Sequence, residues 1–384
     1  MMILFIISMV LILYIYIGYP LLLQLLPKKK RKLNFDASFT PSISILIAAF
    51  NEEDCIEETL LNKLQLDYPA DKLEILVISD ASTDNTNKLV ETIALSSSIP
   101  IRLYQQQSRQ GKTAGLNRLV KQAKGDILVF SDANSLYDKY AIKQLIQQFQ
   151  YEDVGYISGQ LIYTHSDGTV IGNGCSKYMQ YENWLRQQET NISSIIGVDG
   201  GIDAMRKSLY TSLNADQLPD FVQPLKVIEQ GYSVCYEPSA LLYEKSLKRP
   251  EKEFKMRVRV CLRALWALFD MRHLLNPLRY GLFSIQLLSH KLLRYLAFIP
   301  QFVVFISNIT LINQGLFFQI IFVLQIIFYA NVYLGFFYRN RPESIGILSM
   351  PYYLFILNIS AAVAFYKFIH NEKIIIWAPR EGQF

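Results

Sequence analysis

The chain has 384 residues, 51% apolar and 18% charged, with a formal net charge of +5. That length allows one large domain or two, and the modest charge, without interleaved aromatic and basic residues, argues against nucleic acid as a partner. Cys55, Cys175, Cys235 and Cys261 are scattered without metal-ligand spacing, which excludes a cysteine metal cluster.

Met1–Leu26 carries no charge, and Lys28-Lys29-Lys30-Arg31-Lys32 comes directly after it. About 20 apolar residues cross a bilayer, and a cationic flank stays on the cytoplasmic side. A cleaved signal would place its positive charge before the apolar core, so residues 1–27 are expected to be a retained anchor. The chain from Lys28 onward is expected in the cytoplasm, with the cysteines reduced.

Ser42–Ala49 reads as a buried strand, followed by Phe50-Asn51-Glu52-Glu53 and a helix to about Leu66. Leu73–Ser79 is a second strand, ending in Asp80-Ala81-Ser82-Thr83-Asp84, with a helix through about Ala94. Ile99–Tyr104 is a third strand and Lys112–Ala123 a third helix. Gly111-Lys112-Thr113 is no P-loop, because Gln106 stands where that motif requires glycine. Gly125–Ser131 is the fourth strand, and it ends in Asp132-Ala133-Asn134 before a helix over Asp138–Phe149. Strands alternating with helices at this spacing imply a mainly parallel α/β sheet, whose strand ends line a ligand crevice. Asp132 and Asn134 suit either a turn and helix cap or a hard divalent cation carrying a diphosphate.

Ala49-Phe50-Asn51-Glu52, Asp80-Ala81-Ser82-Thr83-Asp84, Gly111-Lys112 with Asn117, and Asp132-Ala133-Asn134 together resemble a family 2 glycosyltransferase. The order and spacing match over about Pro41–Glu244, roughly half the chain. The resemblance implies a GT-A fold that binds a UDP-sugar with Mg2+ or Mn2+. Ala49, Asn51, Glu52, Asp80, Lys112, Asn117 and Asp132 would contact the nucleotide sugar, with Asp80 on the uracil or ribose side. Asp132 would hold the metal. Asn134 replaces the family's usual second aspartate, so its amide oxygen would ligate without charge.

Gly197-Val198-Asp199-Gly200-Gly201 permits close backbone approach or is simply a flexible loop, and the resemblance puts Asp199, Gly200 and Gly201 on the acceptor side beside Ile202–Arg206. Leu218-Pro219-Asp220 opens a helix to Glu229. By position alone Asp220 is a carboxylate favoured by the helix dipole. The resemblance makes it the general base, although Pro219 stands where the family often has glutamate, and Asp216 and Asp199 are the substitutes. Gly231–Glu237 and Leu241–Glu244 are further extended pieces.

Glu253–Arg272 reads as an amphipathic helix with Val258, Cys261, Leu262, Leu265, Leu268 and Phe269 on one arc and Lys255, Arg259 and Arg263 beside it. Arg259 and Arg263 would meet acceptor, diphosphate or lipid headgroups. The Gln-x-x-Arg-Trp motif of the processive members is absent, with Val260 after Arg259. Tyr280–His290 is too short to span a bilayer. Tyr295–Tyr338 lacks Asp, Glu, Lys and Arg for 44 residues, broken at Asn313-Gln314-Gly315, and Ile345–Tyr366 supplies one more span. That count places the C-terminus outside, while Lys367, His370, Lys373 and Arg380 favour the inside.

The expected organisation is an anchor at 1–27, a catalytic domain at 41–250, interfacial helices at 251–290, about three spans at 291–370 and a tail at 371–384. The expected activity is metal-dependent, inverting transfer from a UDP-sugar to a glycan or lipid-linked acceptor, at the cytoplasmic face of the plasma membrane and in contact with its lipids. The alternative is a transporter or scaffold with a non-catalytic nucleotide-binding domain, against which stands the scarcity of charge in the spans. A dinucleotide oxidoreductase lacks support, because Ala48–Glu52 contains no glycine.

Overall fold

The computed structural model describes residues 1–29, 36, 38–164, 170–245, 250–339 and 346–374. Lys30, Arg31, Lys32, residues 246–249, Arg341, Arg380 and the tail from 375 lie outside the described residues. The chain forms two compact units. One comprises Met1–Pro27, His165–Gln188 and Ser246–Lys373, the other Lys28–Thr164, Glu189–Lys245 and Ile374–Phe384.

The second unit is built on an eight-stranded sheet in the order β3-β2-β1-β4-β7-β6-β8-β5. The strands are β1 Ile43–Ala49, β2 Leu73–Ser79, β3 Ile101–Gln105, β4 Ile127–Asp132, β5 Leu136–Tyr137, β6 Val154–Thr164, β7 Asp203–Arg206 and β8 Ser233–Lys245. The parallel half is β3-β2-β1-β4, with Ala48 opposite Asp132 and Ala49 opposite Ser79. β2 is buried at every position, as expected of a parallel strand covered on both faces. Each of its aliphatic side chains contributes about 1.5–3 kcal/mol by burial.

Between β4 and β7 the direction reverses, with Phe130 opposite Asp203. The carboxyl end of β4 therefore lies beside the amino end of β7, at the switch point where ligands collect in such sheets. β6 pairs antiparallel with β7 and parallel with β8, shifting register between Ser158 and Gln160. One continuous strand, β8, thus replaces the two extended pieces expected after Gly231.

Among the described residues of the other unit, three helices are long and apolar enough to cross a membrane: Met2–Leu25, Leu316–Phe337 and Ile347–Ile369. Leu282–Tyr295 and Phe298–Gln314 meet at a bend of 57° and together would make a fourth. Leu316–Phe337 buries only Val332 and Gly335, and a helix apolar all round suits lipid. The helical run through Leu282–Gln286 and Leu287–Leu292 continues to Tyr295, so the 290 boundary falls inside a helix. In Pro250–Asp270, Val258, Cys261, Leu262, Leu265 and Leu268 are buried, whereas Phe269 is exposed. Its ring instead meets Trp266 and Phe368 edge-on.

Candidate active site

The loops after β1 and β2 are laced together by their own polar residues. Asn51, at φ 51°, accepts from the Thr83 amide at 2.8 Å, and its own amide donates to Ser82 Oγ at 3.1 Å. Asparagine tolerates this left-handed backbone better than most residues. The Glu52 amide donates to Thr86 Oγ1 at 2.9 Å, and Ala49 at the end of β1 is buried.

Asp80 is also buried. Its carboxylate accepts from the Gln110 amide at 2.7 Å, the Gly111 amide at 3.0 Å and Gln106 Nε2 at 3.0 Å. Arg109 lies 3.8 Å from it and stacks over the Phe50 ring at 3.6 Å. Asp80 therefore fixes the turn, with Gly111 at φ 88°, from which the helix Lys112–Gln122 begins.

Lys112, first in that helix, brings the two halves of the sheet together. Its Nζ is 2.7 Å from Asp132 Oδ1 at the end of β4 and 3.6 Å from Asp220 Oδ1. Asp220 lies in the first turn of the helix Pro219–Glu229, where Pro219 is preset for a helical start. Burial works against the Lys112 charge, but Asp132 and then Asp220 outweigh it and hold the ammonium above the usual lysine range. The side chains of Asp132 and Asp220 remain 33% and 22% exposed, so both can be reached from solvent.

Gly200 and Gly201 form the opposite wall, at φ 76° and 81°. A Cβ on Gly200 would lie 2.7 Å from Asp220 Oδ2, and one on Gly201 3.0 Å from Ser135 Oγ and 3.6 Å from Asp132 Oδ2. Only glycine fits such a backbone at such contacts. Asp203, two residues on, is wholly buried, and neither carboxyl oxygen has a hydrogen-bond partner among the described residues. Burial, and next the charge of Asp220, push its carboxyl well above the usual carboxylate range.

Asn117, another expected site residue, is engaged elsewhere. The Asn117 carboxamide donates to the Leu213 carbonyl and accepts from the Leu213 amide and the Tyr210 hydroxyl, holding the 210–213 segment. Asp199, Asp216 and Asn134 are half-buried. Arg259 and Arg263 lie on Pro250–Asp270, in the other unit.

The sequence reading missed the support beneath Asp132. On the helix Ile56–Leu64, Thr59 donates to the Ala133 carbonyl at 2.6 Å and Lys63 Nζ to the Ser135 carbonyl at 2.6 Å. Asn62 exchanges two hydrogen bonds with the Tyr137 backbone. Lys63 also lies 3.4 Å from the Tyr137 ring centroid. The Tyr137 hydroxyl donates toward the Phe130 carbonyl at 3.0 Å and the Gly201 carbonyl at 2.6 Å, joining β4 to the glycine wall. The signal was a lysine on the stripe Ile56, Thr59, Leu60, Lys63, all of it buried.

Among the described residues no three His, Cys, Asp or Glu side chains converge as a metal cage. The donor set of Asp132, with Asn134 two residues on, would suit instead a hard cation of the Mg2+ type, which needs only one or two carboxylates from the protein.

A family model described as Glycosyl transferase family 2 matches residues 44–210. The poly-β-1,6-N-acetyl-D-glucosamine synthase of Staphylococcus aureus (strain MSSA476) is 27% identical over 220 residues, 56% of this chain and 52% of that protein. The β-monoglucosyldiacylglycerol synthase of Nostoc sp. is 27% identical over 173 residues, 45% of this chain and 37% of that protein. The chain thus spans about half or less of the length of these curated relatives. A mannosyltransferase from Pyrobaculum calidifontis, solved with GDP-Man and Mn2+, superposes with a TM-score of 0.71 at 21% identity, covering 96% of this chain and 100% of that one. The mixed α/β sheet with added apolar helices is accordingly a GT-A fold.

Proposed function

We propose, from the match of residues 44–210 to the glycosyl transferase family 2 model, that this chain transfers a sugar from a UDP-sugar to a hydroxyl of a glycan or lipid-linked acceptor, with inversion, at the cytoplasmic face of a membrane. The supporting observation is the meeting of Asp132 and Asp220, from opposite halves of the sheet, on Lys112 Nζ. The names of the relatives, synthases of an N-acetylglucosamine polymer and of a glucolipid, agree with such acceptors. The three apolar helices agree with a membrane location.

Asp132 would hold Mg2+ or Mn2+, which when bound neutralises charge on the departing diphosphate. Lys112, at a helix start whose free amides also favour anions, adds a second positive charge there. Asp220 accepts the proton of the acceptor hydroxyl as its oxygen bonds to the anomeric carbon and the bond to diphosphate breaks. Gly200 and Gly201 let the acceptor approach closely, while Tyr137 and Lys63 hold Asp132 and the glycine wall in fixed relation.

The test incubates the full chain in detergent with Mn2+ and a panel of UDP- and GDP-sugars. One UDP-sugar is expected to release UDP, and Asp132→Asn to abolish the release. Turnover of GDP-sugars alone would overturn the donor assignment. Wild-type turnover in Asp132→Asn would overturn the site.

A further inference from the structure

Building on the metal-dependent transferase reading above, we propose that Lys112 is a built-in counter-ion. It stands where the divalent cation binds, and the donor diphosphate draws it off Asp132. The ammonium lies 2.7 Å from Asp132 Oδ1 and reaches Asp220 Oδ1 at 3.6 Å. A Mg2+-like cation on that Asp132 oxygen would sit at about 2.0–2.1 Å, in the sector the ammonium now fills. The glycine wall lies beside the other two oxygens, a Cβ on Gly201 coming within 3.6 Å of Asp132 Oδ2 and one on Gly200 within 2.7 Å of Asp220 Oδ2, and Asp203 is buried.

The arrangement makes a metal and a lysine competitors for one oxygen while the site is free of nucleotide. A diphosphate changes the balance, because it offers the ammonium other anionic oxygens at the start of the helix Lys112–Gln122. Metal and nucleotide then strengthen each other's binding, and the coupling is reciprocal. Until a complete donor arrives, the one ammonium offsets part of the negative charge of Asp132 and Asp220. A lysine that only contacted phosphate would behave differently, because its removal would leave the affinity for metal alone unchanged.

The experiment measures Mn2+ binding to the full chain by electron paramagnetic resonance, without nucleotide and with UDP, for wild type, Lys112→Met and Lys112→Arg. Lys112→Met is expected to bind Mn2+ alone about tenfold more tightly than wild type, and to show a smaller enhancement by UDP. Lys112→Arg is expected to keep the weak affinity. Unchanged or weaker binding of Mn2+ alone to a folded Lys112→Met protein overturns the proposal. Wild type gives a check that depends on no variant: if UDP leaves its Mn2+ affinity unaltered, the coupling does not exist and the proposal fails. Asp132→Asn separates the two levels of inference. If it binds Mn2+ as wild type does, the assignment of Asp132 as ligand fails as well as the role of Lys112.

Discussion

The two halves of the sheet deliver their candidate site residues by different means. In the parallel half, Ala49, Asp80 and Asp132 stand at or just beyond the ends of β1, β2 and β4, so each is aimed by its own strand. In the reversed half, Gly200, Gly201 and Asp220 come from loops and a helix start, and long-range contacts place them. The Val198 amide meets the Asp220 carbonyl at 3.3 Å, and the Tyr137 hydroxyl meets the Gly201 carbonyl at 2.6 Å. The Asp80 and Asp132 side is thus set by strand geometry, while the Gly200, Gly201 and Asp220 side is set by long-range contacts.

That contrast can be broken at three points, from the largest effect to the smallest. Asp220→Asn should cut transfer by about 10²–10⁴ while leaving UDP affinity within a few-fold, because it removes the proposed base and leaves Asp132 and Lys112 in place. A parallel loss of UDP affinity, measured by calorimetry, would show that the two sides are not separable.

Tyr137→Phe removes the hydroxyl that joins β4 to the glycine wall. It should cost about 1–3 kcal/mol of stability for the buried carbonyls left unsatisfied. It should also lower kcat more than it raises the donor KM, since the loop after Asp132 keeps its support from Thr59 and Lys63 while the glycine wall loses its strut. Denaturant midpoints and a kcat-against-KM comparison check both halves of this expectation.

The smallest effect concerns Asp203, whose neutral form is favoured by burial and by Asp220. With its folded value raised, its contribution to stability is fully present below the ordinary carboxylate range and is lost as pH rises through the folded value. Asp203→Asn should therefore match wild type in acid and be the more stable of the two at higher pH. Melting temperatures across that range decide it, and coinciding curves would show that Asp203 does not titrate as described.

The first half of the site was legible because its signals are local. Apolar runs at Ile43–Ala49, Leu73–Ser79 and Ile127–Phe130 each stop at polar residues, and in a parallel sheet those stops share one edge. Asn117 shows the limit of such signals. Its place in the helix Lys112–Gln122 said nothing of the 210–213 segment that its carboxamide holds. Lys63 shows another, since a lysine on a buried stripe is visible in sequence but its acceptor, the Ser135 carbonyl, is not.

The amino-acid order alone determined the strand–helix alternation, the polar strand ends and the apolar helices, because periodicity and burial act between near neighbours along the chain. Only the tertiary structure decided that Asp132 and Asp220, 88 positions apart in the numbering, would meet on one lysine. The cause is the reversal between β4 and β7. Strand direction is settled by pairing across the sheet, and no local run of residues records it.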